Sequence, residues 1–178
     1  DPLGLAHTTI QGVDKPAGTP TNGHRFYSSA LTAKPAVLDD DPRIVPFPSV
    51  VTAAGPAGSI ASTSRDLAAW ARALYGGALL EPETMAMLRA SIDETAPFRP
   101  RVPYGLGIQR VEVAGGEAYG HSGRFLGARA LIRYLPRPGI AIAVTSNTNR
   151  GDLAPVLERL ARIALGQSGD ASPAPSGG

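Results

Sequence analysis

Along the chain the rhythm of apolar and polar residues changes twice. Residues 1–60 carry little periodicity and much Pro, Gly, Thr and Asp, and the runs D-D-D-P (39–42) and P-F-P (46–48) argue against regular elements there. So long an irregular stretch is more typical of chain draped over other structure than of a self-contained unit. The first helical signal is S-T-S-R-D at 62–66, where Thr63 can cap and Asp66 sits at the positive helix end. Leu67, Trp70, Ala71 and Leu74 follow at helical spacing, and Gly76-Gly77 supplies a stop. A second, short helix is predicted from E-P-E-T, with Pro82 at its first position and Met85 and Leu88 on its apolar side.

From Tyr104 the period drops to two. Leu106 and Ile108 alternate, then Val111 and Val113, with a phase slip near Gln109-Arg110 that predicts a bulge. Residues 118–122 and 127–135 read as further strands, and P-R-P-G at 136–139 turns the chain into I-A-I-A-V-T-S at 140–146. The short connections make these neighbours antiparallel. A last helix opens at Asp152 with Leu153, Val156, Leu157, Leu160 and Ala164 along one side, and Gly166 ends it. The order predicts an α+β fold: an antiparallel sheet flanked by helices, with part of a helical lobe. Its parts are an irregular segment of that lobe over 1–60, helices over 61–100, strands and a C-terminal helix over 101–166, and a low-complexity, disordered tail over 167–178. The helix pair has no evident partner, so the organisation reads as incomplete.

Composition narrows the function. Formal charge is +2, and 15 of the 17 basic residues are arginines scattered along the chain; with 6% aromatics and no basic stripe, nucleic acid is not an expected partner. No apolar run approaches a membrane span. Without cysteine there are no disulfides or thiolate metal sites, and His7, His24 and His121 lack metal-ligand spacing, so no metal is expected.

One histidine stands apart. Y-G-H-S-G-R-F-L-G at 119–127 places His121 between small residues at a strand edge, which suits the wall of a cleft. A satisfied structural histidine is the plainer reading of the same residues. G-L-G at 105–107 lacks the third glycine and the strand-to-helix setting of a nucleotide loop, and is taken as close packing. T-S-N-T-N at 145–149 reads as a turn, and Trp70 as core.

P-L-G-L-A-H-T (2–8), A-G-P-A-G-S-I-A-S-T-S-R-D-L-A-A-W (54–70), Y-G-L-G-I (104–108), Y-G-H-S-G-R-F-L-G and I-A-V-T-S-N (142–147) form an ordered set. In that order the chain resembles the C-terminal half of the β-lactamase-related serine hydrolases, a family with class C β-lactamases, D-alanyl-D-alanine carboxypeptidases and esterases. The resemblance covers roughly residues 2–165. It implies acyl transfer through a serine ester, using Ser-x-x-Lys, Tyr-x-Asn and a Lys/His-x-Gly triplet on a strand beside the cleft. Here the triplet is His121-Ser122-Gly123. By the same resemblance His121 faces the proton-transfer groups, Ser122 bonds the substrate or the proton relay, Gly123 lets the substrate approach, and the Arg124 amide serves the oxyanion hole. No cofactor is implied. The Arg124 side chain is left between binding a substrate anion and simple solvation.

The departures are specific. The two lysines, Lys15 and Lys34, are preceded at the third position by Gly12 and Leu31, so Ser-x-x-Lys is absent; Tyr-x-Asn is absent too, Tyr27-Ser28-Ser29 being its nearest imitation. The chain is therefore expected to be one half of a serine hydrolase. Its implied partners are an N-terminal segment carrying the nucleophile, from the same protein or a separate chain, and an ester, amide or D-alanyl peptide substrate. On its own it is expected to be inactive. The alternative is a non-catalytic remnant of the fold that binds peptide or cell wall. The resemblance favours a periplasmic or secreted location.

Overall fold

A computed structural model describes residues 2–14, 18–19, 21–40, 47–95, 102–125 and 127–167. The tail expected at 167–178 lies outside these apart from Gln167. The centre is a four-stranded antiparallel sheet, β5 (Gln109–Val113), β6 (Gly116–Phe125), β7 (Ala128–Leu135) and β8 (Ile140–Ser146), in sequential order. The earlier part of the chain holds paired two-residue strands: β1 (Thr9–Ile10) with β4 (Ile60–Ala61), and β2 (His24–Arg25) with β3 (Ala36–Val37). Its helices are α1 (Phe47–Ala54), α2 (Ser64–Tyr75) and α3 (Pro82–Ala90), and α4 (Ala154–Ala164) closes the order.

Alternation along the strands gives the sheet two apolar faces. Val113, Ala118, Leu131 and Leu135 pack with Leu157 and Ala161 of α4 on one side. Ile108, Tyr119, Ile132 and Tyr134 pack with Ala71 and Tyr75 of α2 on the other. The helix that lacked an evident partner in the sequence therefore covers the sheet, with Leu67, Trp70 and Leu74 half-buried along its flank. Its start follows the cap chemistry: Thr63 Oγ1 accepts from the Asp66 N–H. Asp66 is itself buried, and its carboxylate accepts from the His7 N–H at 2.8 Å and the Thr8 hydroxyl at 3.1 Å, fastening the first segment to the helix.

Three expectations change. Residues 47–54 form α1 although the helix starts inside P-F-P, because Pro48 falls in its first turn, where the missing N–H has no partner to lose. The phase slip comes before the sheet rather than within it. Leu106 is 74% exposed in a turn closed by the Gly107 N–H on the Gly105 carbonyl, and β5 then pairs with β6 in unbroken register from Gln109↔Gly120 to Val113↔Gly116. The T-S-N-T-N segment carries a tether rather than a free turn: Asn149 exchanges bonds with the Phe26 backbone at 2.8 and 3.0 Å, and the Asn147 side-chain amide donates to the Asn22 carbonyl.

Candidate active site

β6 is a strand of two halves. Residues 116–120 pair with β5 and residues 119–125 with β7, and β5 begins at Gln109, opposite Gly120. Among the described residues, 121–125 pair with β7 alone, from His121↔Ile132 to Phe125↔Ala128. The triplet thus falls where one edge of the strand opens. Gly120 marks the switch: a Cβ there would lie 2.0 Å from the Ile132 carbonyl oxygen. A Cβ on Gly123 meets nothing among the described residues within 4 Å, so they leave the strand bare at that point.

Alternation sends the sequence-predicted residues to different sides. His121 shares the α2 face with Tyr119, whereas Ser122 and Arg124 share the α4 face with Ala118. His121 is half-buried, and its Nε2 lies 3.0 Å from the Tyr104 hydroxyl, with the two rings edge-on at 5.6 Å. Tyr104 is placed by bridges to Asp93 and Gln109. A phenol beside an imidazole is a pair that can hand a proton along in either tautomer.

On the other face, Ser122, Gly123 and Arg124 line a cleft of ≈ 440 Å³ together with Gln109, Arg129, Arg133 and Asp152. His121 is not part of that lining. Ser122 Oγ accepts from Gln109 Nε2 at 3.1 Å, and Gln109 Oε1 accepts from Arg133 Nη2 at 3.0 Å. Gln109 and Arg133 are only 1% and 7% exposed. Burial lowers the Arg133 pKa to about 10, and no carboxylate pairs with it among the described residues. Arg129 stands opposite Arg124 across β6 and β7; its Nη2 donates to the Asn149 carbonyl, while its buried Nε has no partner among the described residues. Arginines scattered in sequence therefore converge in space.

Tyr104, Gln109 and Arg133 enter the site without having been singled out in the sequence. A signal existed for two of them. Gln109 has the parity of Val111 and Val113, and Arg133 that of Leu131 and Leu135, so each is a polar residue on an inward-facing row. His7 is exposed, and His24 is half-buried in β2 with Asn147 Nδ2 3.3 Å from its Nδ1. No group of three or more His, Cys, Asp or Glu suited to a metal ion occurs among the described residues. No helix among them is long and apolar enough to cross a membrane.

The fold is similar to that of several solved structures. A D-stereospecific amidohydrolase from Streptomyces sp. is 28% identical, with a TM-score of 0.64, over 82% of this chain and 40% of its own. D-amino acid amidase from Ochrobactrum anthropi SV3, complexed with L-phenylalanine amide, is 22% identical with a TM-score of 0.70 over 94% of this chain and 49% of its own. The structure of SurE is 21% identical with a TM-score of 0.58 over 99% of this chain and 41% of its own. The chain thus spans less than half the length of each. No curated protein sequence matches it. The beta-lactamase family matches over residues 1–166, nearly the whole chain, and the protein belongs to that family.

Proposed function

We propose that this chain supplies the triplet-bearing half of a serine hydrolase site that cleaves an amide or ester by acyl transfer. The observation that carries the reading is the open edge of β6 at residues 121–125, with a cleft beside Ser122 and Gly123. An acyl group laid against that edge meets backbone, a hydroxyl and guanidinium groups on one side, and the His121–Tyr104 pair on the other. The attacking serine and its lysine come from a segment outside these residues, since Ser-x-x-Lys does not occur among them. In the assembled site His121 helps move the proton between nucleophile and leaving group, and the Arg124 amide faces the developing oxyanion.

The similarity to a D-stereospecific amidohydrolase and to a D-amino acid amidase favours amides of D-amino acids as the first substrates to try. D-alanyl peptides and simple esters share the same acyl chemistry. The test is to provide the chain with a segment bearing Ser-x-x-Lys and Tyr-x-Asn and to follow hydrolysis of D-phenylalanine amide. His121→Ala is expected to lower kcat by about 100-fold or more, the usual contribution of a placed acid–base group. An unchanged kcat removes His121 from the chemistry.

A second reading, a non-catalytic binding remnant of the fold, is favoured by one contact: His121 Nε2 is already engaged by this chain's own Tyr104. Tyr104→Phe separates the two. A catalytic His121 shows an altered pH–rate profile in that variant, whereas a binding remnant shows no turnover in either form.

A further inference from the structure

Beneath Ser122 lie two buried polar side chains that the proposed acyl transfer leaves without a role. Arg133 donates from Nη1 to the Ile132 carbonyl at 2.8 Å and from Nη2 to Gln109 Oε1 at 3.0 Å. Gln109 Nε2 then donates to Ser122 Oγ at 3.1 Å. The direction of this chain of bonds is not optional. A guanidinium has donors only, so the Gln109 oxygen must turn towards Arg133 and its nitrogen towards Ser122. An amide nitrogen has no lone pair to offer, so Ser122 Oγ must accept. The one hydroxyl hydrogen of Ser122 is left over, at the wall of the cleft.

We infer that Arg133, acting through Gln109, is a positioning residue that holds the Ser122 hydroxyl hydrogen free for the ligand, so that the group seated against Ser122 is a hydrogen-bond acceptor, a carbonyl or carboxylate oxygen. The inference rests on the proposed function in taking Ser122 as a substrate contact. A buried cation at the root of the relay favours the same polarity. Arg133 is 7% exposed with no carboxylate paired to it among the described residues, and the field it sets up at Ser122 attracts an oxygen bearing negative charge.

The test needs no turnover. N,N-dimethylacetamide is neutral and can only accept, and it is titrated against the full 178-residue chain while the amide resonances of Ser122 and Gly123 are followed by NMR. Saturable shifts are expected for the wild type. Gln109→Glu replaces the donor to Ser122 with a carboxylate oxygen, which takes up the hydroxyl hydrogen; binding should weaken about tenfold, the worth of one hydrogen bond. It should return as the pH is lowered and the introduced carboxylate is protonated, because a carboxyl O–H again donates to Ser122. Ser122→Ala should lose as much at every pH. Gln109→Met should fall between Ser122→Ala and the wild type, since the hydrogen is free but no longer aimed. If Gln109→Glu does not fold, that intermediate position carries the test.

Wild-type affinity in Gln109→Glu or in Gln109→Met overturns the relay, as does an absence of saturation in the wild type. Loss in Ser122→Ala without loss in the Gln109 variants leaves Ser122 at the site and removes Arg133 and Gln109 from it. The hydrolysis experiment on the assembled site is independent of all these outcomes.

Discussion

Gly120 and Gly123 stand three residues apart in one strand, yet a methyl group added to each meets opposite surroundings. At Gly120 it strikes the Ile132 carbonyl at 2.0 Å, so β6 and β7 must separate. Gly120→Ala is expected to cost about 1–3 kcal/mol in urea unfolding, as overpacking against backbone does. At Gly123 the methyl enters open space, and Gly123→Ala should leave stability unchanged or raise it by roughly 0.4–1 kcal/mol. In the assembled hydrolase proposed above the same methyl would occupy the strand against which substrate is proposed to lie, and kcat/KM should fall. A Gly123→Ala protein that is stable and fully active contradicts that placement. Tyr75 gives a second handle at this scale. It is 2% exposed, and burial pushes its phenol up to about 12. The native state then keeps a proton that the unfolded chain releases near pH 10. Stability from this group is intact below about pH 10 and falls as the pH rises towards 12. Phenolate absorbance should show the Tyr75 phenol titrating up towards about 12; titration of Tyr75 at the ordinary phenol value near 10 contradicts the burial.

At the scale of elements, α2 is where local chemistry and tertiary packing agree. Thr63→Ala removes the bond to the Asp66 N–H and should cost about 1 kcal/mol by thermal unfolding. That helix, the short helix begun by Pro82 and the hairpins around Gly139 were legible because caps, proline position and alternation each act within a few residues. α1 was hidden by its prolines. The two-residue strands β1 to β4 were hidden because their pairing is set by partners from 11 to more than 50 residues away. Half of the site was legible in the same sense. His121 and Ser122 stood out through the residues around them, whereas the parity of Gln109 and Arg133 marks them as inward-facing, and it takes the register that puts Gly120 between their strands to bring them together. A polar residue in a strand reads as solvent-facing until the other face is known to be covered.

For the molecule as a whole, the sheet is covered by α2 on one face and α4 on the other, and α4 is apolar beyond what it buries. Leu157 and Ala161 are sealed, but Val156, Leu160 and Ile163 are 48%, 43% and 61% exposed. β8 is the last strand of the sheet order. The chain alone should bind a hydrophobic dye, and the double change Leu160→Glu with Ile163→Glu should remove most of that binding while leaving the unfolding midpoint nearly in place. Equal dye binding by both forms puts the exposed apolar surface elsewhere. Among the described residues the cleft beside Ser122 has donors and cations but no attacking hydroxyl paired with a lysine. The most direct measurement is intact-mass spectrometry after incubation with a β-lactam or activated-ester probe. The 178-residue chain alone is expected to remain unlabelled, and addition of a segment bearing Ser-x-x-Lys is expected to give one acyl group per assembled site, carried by that segment. Stoichiometric labelling of this chain by itself contradicts the account.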